Sequence, residues 1–182
     1  MLGWLRAGLG LWQGMVMLGQ TAERREKYEL ARQYADQVGK PLLVVGGPYG
    51  DSPFRCMLDL PAHGWGSVCL DIEAQACEGA PQVVVADVRE IPFPDGYFAS
   101  VLVSHVLEHL PSYGDCAQAV RELQRVADRV YVAGPSKQSF IAWLVPDHHL
   151  WVTQEDGVLY VEERTWWSRA AGRDPRERDG LR

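Results

Sequence analysis

Short apolar runs alternate with polar, helix-forming stretches between residues 40 and 135 of the chain. Five of these runs are typical of buried parallel strands, and they cover residues 42–45, 67–70, 82–86, 101–103 and 129–133. Between the last two runs, residues 116–126 repeat apolar side chains at the spacing of one helical face. Strands that alternate with helices predict crossover connections and a mostly parallel sheet.

The pattern changes on both sides of this region. Residues 23–38 are typical of a charged helix that stops at Gly39 and Pro41. Residues 150–153 and 158–162 are short strand-like runs joined by a turn, which predicts an antiparallel C-terminal hairpin at an edge of the sheet. The predicted fold class is therefore α/β, with a Rossmann-like, doubly wound and mostly parallel sheet.

The first 20 residues are apolar but interrupted by glycines and by Arg6, so they are a poor membrane-spanning segment. On a helix, one stripe holds five apolar residues: Leu2, Leu5, Leu9, Trp12 and Val16. We predict that residues 1–20 form an amphipathic lid packed on the sheet, with peripheral membrane contact through residues 2–18 as the alternative. The domain proper then covers residues 21–167, and residues 168–182 are predicted to be a charged, disordered tail.

The composition of the chain excludes several classes of function. A chain of 182 residues with 47% hydrophobic and 23% charged residues is typical of one soluble domain. Its net charge of −6 gives no general attraction to nucleic acid, so no nucleic-acid partner is predicted. The four cysteines show no C-x-x-C pair, which argues against a zinc ribbon or a compact disulfide framework and favours a reducing, cytoplasmic compartment.

Polar and glycine residues follow the predicted strands at the ends where open α/β sheets bind ligands. In chain order they are Gly46, Gly47 and Gly50 after the first strand, Asp71 and Asp87 at the second and third, and Ser104 and His105 after the fourth. Asp71 follows Gly50 by about 20 residues, the spacing at which a carboxylate can accept hydrogen bonds from both ribose hydroxyls. Each feature alone is also typical of a simple turn or a helix cap.

One segment resembles a known family. Residues 86–110 read ADVREIPFPDGYFASVLVSHVLEHL and closely resemble the signature of class I S-adenosylmethionine-dependent methyltransferases of type 11. Residues 120–126, VRELQRV, are similar to the family's next helix. The resemblance implies S-adenosylmethionine as the cofactor, with the backbone of the three glycines close to it, Asp71 at the ribose, and Asp87 and Val88 at the adenine. Ser104 and His105 would lie beside its methionine portion and the transferable methyl group.

The first motif departs from the family pattern. Val44 stands in place of an acid and Pro48 in place of a glycine, and both changes predict weaker cofactor binding. The resemblance implies methyl transfer to an unidentified acceptor, either a small molecule or a lipid or sugar. The alternative is a catalytically inactive, methyltransferase-like domain that binds a partner as a scaffold.

Three histidines are candidate general bases for an acceptor hydroxyl or amine: His105, His148 and His149. Residues 105–109 also match H-x-x-E-H, the zinc pattern of inverzincins. That pattern needs both histidines on one face of a sustained helix, whereas an apolar strand precedes His105 and Pro111 follows His109 closely. No metal site is predicted.

Overall fold

The structure, a computed structural model, describes the backbone of residues 2–50, 53–164 and 179–181 and the side chains of residues 8–50 and 55–164. The helices are α1 Leu2–Val38, α2 Pro53–Met57, α3 Tyr113–Val126 and α4 Phe140–Leu144, with 3₁₀ turns at Ala74–Cys77 and Leu107–His109. The strands are β1 Leu42–Val45, β2 Val68–Asp71, β3 Val83–Val85, β4 Phe98–Ser104, β5 Ala127–Ala133, β6 Leu150–Glu155, β7 Val158–Glu163 and β8 Asp179–Leu181.

Strands β1 to β5 form one sheet in the order β3-β2-β1-β4-β5, and every neighbouring pair is parallel. The strand order reverses between β1 and β4, where open α/β sheets form a ligand crevice at the carboxyl ends of the strands. The prediction of a mostly parallel, Rossmann-like sheet is confirmed. Strand β4 begins at Phe98, earlier than predicted, because Phe98 to Ser100 are also buried against the helices.

Helices cover both faces of this sheet, as the doubly wound prediction requires. Residues Tyr28, Ala31 and Ala35 of α1 pack against one face. The apolar stripe of α3 packs against the other face through Cys116, Ala119, Val120, Leu123 and Val126. The burial of both faces explains why the central strands are apolar without alternation.

The predicted C-terminal hairpin forms, but it belongs to a second sheet, in the order β6-β7-β8, and does not join the edge of the first. The side-chain amide of Gln154 forms hydrogen bonds with the backbone of the edge strand β5. Its Nε2 donates to the carbonyl of Val130, and its Oε1 accepts from the N–H of Val132. Within the predicted tail, residues 179–181 pair with β7, with Leu181 opposite Leu159. The rest of the tail, residues 168–178 and 182, lies outside the described residues.

Helix α1 runs without a break for 37 residues, across the predicted boundary at residue 20. In its N-terminal half, the apolar stripe that was predicted to pack on the sheet faces outward instead. Leu9 and Trp12 are 58% and 48% exposed, whereas the polar Gln13 is 5% exposed. The amide of Gln13 bonds to the hydroxyl of Ser139 and accepts from the N–H of Phe140 at the start of α4. Among the described residues, no helix is long and apolar enough to cross a membrane.

Cys69 and Cys77 form a disulfide, which the cysteine spacing did not lead us to expect. The 3₁₀ turn 74–77 folds back over β2 and brings the two residues together. Cys56 and Cys116 are free thiols. The bond fixes the segment that follows β2 and its last residue, Asp71, one of the predicted site residues.

Candidate functional site

A cavity of about 380 Å³ opens at the carboxyl ends of β1 to β4, at the point where the strand order reverses. This volume lies within the range of about 300–1,000 Å³ typical of small-molecule sites. Its lining comes from four strand ends and the 3₁₀ turn 107–109: Val45, residues 70–73, residues 86–89, His105, Val106 and residues 109–111. Asp71, Asp87, Val88 and His105 were all predicted as site residues.

Asp71 lies at the end of β2, where its Oδ1 accepts a hydrogen bond of 2.9 Å from the backbone N–H of Glu73. This contact holds the carboxylate in a tight turn at the cavity wall. Asp87 follows the neighbouring strand β3 and lines the same cavity. Two carboxylates from adjacent parallel strands therefore face one space, as their strand-end positions predict.

Arg89 binds Asp87 through two nitrogens, with Nε 3.0 Å from Oδ1 and Nη2 2.6 Å from Oδ2. Its Nη1 also lies 2.6 Å from Asp115 Oδ1 in the first turn of α3. The hydrogen bonds from Arg89 hold the pKa of Asp87 below its usual value, against the opposing effect of burial. Asp87 is therefore an anchored, ionised carboxylate at neutral pH, and the sequence analysis did not foresee its partner Arg89.

His105 directly follows β4 and has a φ of 55°, a left-handed conformation that is uncommon outside glycine. Its N–H donates to the carbonyl of Ala133, and its Nδ1 lies 3.0 Å from Oε1 of Glu108. Glu108 is 1% exposed. Burial, the largest single influence, acts to raise its pKa, but His105, a backbone hydrogen bond and His109 together lower it. Nε2 of His105 and Oγ of Ser104 are buried, with no hydrogen-bond partner among the described residues.

Two further buried polar residues lie behind His105. Arg24 reaches inward from α1, and burial together with the like charge of Arg55 lowers its pKa to about 10. His63 is also buried, and burial lowers its pKa to about 4. Sequence reasoning missed both residues, although the seven-residue spacing of Arg24 and Ala31 places them on the same inward side of α1.

The glycine turn after β1 contacts protein rather than the cavity. The N–H of Gly46 donates to the carbonyl of Leu70, and a Cβ at Gly46 would lie 2.3 Å from the carbonyl oxygen of Ser104. A Cβ at Gly47 would lie 1.8 Å from the carbonyl oxygen of Ala76. Neither these two glycines nor Gly50 and Ser104 are among the residues that line the cavity. Their assignment to the cofactor site therefore stays a prediction.

The two C-terminal histidine candidates lie outside the cavity lining. His148 is buried, its pKa is lowered chiefly by burial, and its ring lies 4.8 Å from the ring of His109. His109 does line the cavity. His149 is exposed. Only His105 of the three candidate bases is therefore in direct contact with the cavity.

One comparison with known proteins, the match to a family model, agrees with the sequence resemblance. A family model described as "Methyltransferase domain" matches residues 50–129. No curated protein matches the chain significantly in sequence. Among solved structures, the PH0226 protein from Pyrococcus horikoshii OT3 is similar at 17% identity over 76% of this chain and 70% of its own, with a TM-score of 0.38. The N-methyltransferase NodS from Bradyrhizobium japonicum WM9, in complex with S-adenosyl-L-homocysteine, is similar at 13% identity over 77% and 80%, also with a TM-score of 0.38.

The family match covers β2 to β4, α3 and the start of β5, and thereby most of the cavity wall. It includes both acids and the segment 86–110 on which the sequence resemblance depends. Residues 50–129 are thus similar to the methyltransferase domain family, over somewhat less than half of the chain.

Proposed function

We propose that the protein is an S-adenosylmethionine-dependent methyltransferase that binds the nucleoside part of its cofactor in the cavity at the carboxyl ends of β1 to β4. The observation that carries this proposal is the position of Asp71 and Asp87, which line one cavity from adjacent strand ends. A carboxylate at the end of the second strand suits a ribose diol, because it accepts from both hydroxyls.

The adenine would then lie beside Asp87 and Val88 at the end of β3. Arg89 does not rule this out, since an ionised carboxylate has about four lone-pair positions and can accept from Arg89 and from an adenine amino group together. Arg89 instead fixes the direction of the carboxylate and keeps it charged. Because the carboxylate of Asp87 is already held in place, less conformational entropy is lost when a ligand binds to it.

The glycine turn takes an indirect part in this proposal. Gly46 and Gly47 let the β1 turn pack closely on residues 104 and 76, which sets the neighbouring cavity walls. The family's acid at position 44 is replaced for a packing reason: Val44 is fully buried in the apolar layer between the sheet and α1. A carboxylate there would be costly to bury without a partner.

S-adenosylmethionine supplies an activated methyl group, so the protein has mainly to position the acceptor, exclude water and accept a proton. His105 is the proposed base, because it lines the cavity and Glu108 lies at ion-pair distance from its Nδ1. A carboxylate at one ring nitrogen leaves the other nitrogen available to accept a proton. His148 and His149, which were candidates on sequence grounds, are not proposed as bases, since neither lines the cavity.

The acceptor is proposed to be a small molecule, a lipid or a sugar. The outward side of the N-terminal half of α1 is apolar, and α4 beside it exposes Phe140, Ile141 and Leu144. An apolar surface of this kind favours peripheral contact with a membrane. This contact is proposed for residues 9–18, within the segment 2–18 identified from sequence.

Calorimetric titration with S-adenosylmethionine and S-adenosylhomocysteine tests the cofactor proposal. We expect both ligands to bind the wild-type chain, and Asp71→Asn to weaken binding by roughly 10- to 100-fold, because a charge-assisted hydrogen bond contributes about 1.5–3 kcal/mol. Asp36→Asn is the matched control, since Asp36 is an exposed carboxylate on α1 that does not line the cavity. No binding by the wild-type chain would leave the alternative of a catalytically inactive scaffold.

A further inference from the structure

Three side chains of types that can bind metal ions come together at the edge of the cavity, apart from the two acids Asp71 and Asp87. Glu108 and His109 belong to the 3₁₀ turn after β4, and His148 precedes β6. One potential ligand atom from each lies within 4.8 Å of the other two. Glu108 is fully buried, His148 is more than nine-tenths buried, and His109 lines the cavity wall.

Two of these side chains hold buried polar atoms without a hydrogen-bond partner among the described residues: Oε1 of Glu108 and Nδ1 of His148. His105 Nδ1 lies 3.0 Å from Glu108 Oε1, but this contact does not have the angles of a hydrogen bond. Buried polar atoms in native proteins are nearly always satisfied, so unpartnered atoms on neighbouring side chains indicate a missing ligand. A carboxylate oxygen and the lone pair of an imidazole nitrogen are both satisfied by a hydrogen-bond donor or by a cation.

We propose that Glu108, His109 and His148 bind a divalent first-row transition-metal ion. Two imidazoles and one carboxylate are a donor set for Zn²⁺ and, as a facial triad, for Fe²⁺. Mg²⁺ and Ca²⁺ prefer oxygen ligands alone, so this set selects against them. The sequence pattern of residues 105–109 pairs His105 with His109, whereas the folded chain pairs His109 with the distant His148.

Metal binding requires the three donor atoms to move slightly closer together. Zn–N distances are about 2.0–2.1 Å, so ligands of a tetrahedral ion lie about 3.3 Å apart. Donor atoms now within 4.8 Å would each approach by at most about 1.5 Å, which ring rotation of two histidines can supply. The rings of His109 and His148 already meet edge to face, with an angle of 80° between their planes.

Hydrogen bonds fix the positions of the two segments that carry these three side chains. The backbone N–H of His149 donates to the carbonyl of Glu108, and Arg164 Nη1 donates to the carbonyl of His148. Such outer contacts orient metal ligands in known sites. Because His109 faces the cavity, an ion has an entry path, and three protein ligands leave a coordination position for water or another oxygen.

Titration of the chelator-treated full chain with Co²⁺ and Zn²⁺ tests this site without any cofactor, so its result is independent of the nucleoside proposal. We expect one ion per chain by calorimetry, and at least a tenfold loss of affinity in His148→Ala and in His109→Ala. His149→Ala is the matched control, because it removes an exposed imidazole next to His148. Its affinity should equal that of the wild-type chain.

Thermal melting followed by circular dichroism gives a second readout and shows whether each variant folds. An ion that binds only the folded state raises the melting temperature, so Zn²⁺ should stabilise the wild type and His149→Ala but not His148→Ala. Should His148→Ala fail to fold, the half-exposed His109→Ala carries the test. Absence of Co²⁺ binding by the wild type, equal affinity in the folded variants, or equally tight binding of Mg²⁺ would overturn the proposal.

Discussion

At the scale of single residues, Gly47 determines how closely the β1 turn approaches the 3₁₀ turn 74–77. A Cβ there would lie 1.8 Å from a backbone oxygen of Ala76, and backbone cannot rotate away as a flexible side chain can. Gly46 is constrained in the same way and also has a φ of 81°. The glycine pattern is thus explained by packing between neighbouring loops.

Gly47→Ala should therefore displace the 74–77 turn and lower the free energy of unfolding by roughly 1–3 kcal/mol, the usual cost of forced overpacking. Gly50→Ala is the comparison, because a Cβ at Gly50 meets no atom within 4 Å, although its φ of 56° adds some strain. Urea denaturation of the two variants measures the difference. Equal stability of Gly47→Ala and the wild type would contradict the close packing described.

His63 makes stability depend on pH. Its folded-state pKa of about 4 lies below the ordinary value of 6.5, so the unfolded chain binds a proton in this window that the folded chain does not. The contribution of the neutral His63 ring to the free energy of unfolding is fully present above pH 6.5. It is lost as the pH falls towards 4, and the loss is about 3 kcal/mol at about 1.4 kcal/mol per pKa unit.

Denaturant unfolding of the wild type and of His63→Gln between pH 7 and pH 4 measures this loss. The difference in free energy of unfolding between the two proteins should shrink as the pH falls, because only the wild type loses the contribution of a neutral buried imidazole. A difference that stays constant across this range would show that His63 titrates normally in the folded chain.

At the scale of elements, the disulfide ties the 74–77 turn to β2 beside Asp71 and Glu73. A cross-link over so short a loop is expected to contribute on the order of 2–3 kcal/mol. Reduction should therefore lower the melting temperature of the wild type, and Cys77→Ser should melt at that lower temperature with or without reductant. Cys56→Ser, which removes an exposed free thiol, should keep the wild-type response.

Thiol titration of the denatured, non-reduced chain checks the bond itself. Two reactive thiols are expected, from Cys56 and Cys116. Four reactive thiols would show that Cys69 and Cys77 are not linked.

The apolar runs predict the elements of the main sheet, because strands buried on both faces carry no polar alternation. The same pattern does not say which sheet the hairpin joins. That outcome depends on the side chain of Gln154, whose amide bonds to the backbone of β5 and covers its edge. For α1, the predicted stripe of Leu9 and Trp12 is exposed, since the inward contacts are made by Gln13 instead.

The candidate site, like the fold, could be predicted from the sequence only in part. Asp71 and Asp87 could be placed from sequence, because parallel strand ends meet at one edge of a sheet. The cluster of Glu108, His109 and His148 could not, since it joins residues about 40 positions apart through the path of the chain after β5. Local spacing contains no information on such a contact.

At the scale of the whole molecule, the N-terminal half of α1 turns apolar side chains outward, with Leu11 and Leu18 more than 70% exposed. We expect the wild-type chain to float with phosphatidylcholine vesicles in a density gradient. The double variant Leu11→Ser and Leu18→Ser should stay in the aqueous fraction, whereas Leu30→Ser, from the C-terminal half of α1, should float. A wild-type chain that remains in the aqueous fraction would contradict membrane contact.

The proposed function depends on the binding of a nucleoside in the cavity between the ends of β2 and β3. Hydrogen–deuterium exchange of the full chain, with and without S-adenosylhomocysteine, tests it most directly, because a bound ligand slows the opening of the loops that it covers. We expect slower exchange over residues 70–73 and 86–89 and unchanged exchange over residues 136–144. Protection confined to other segments, or no protection at saturating ligand, would contradict it.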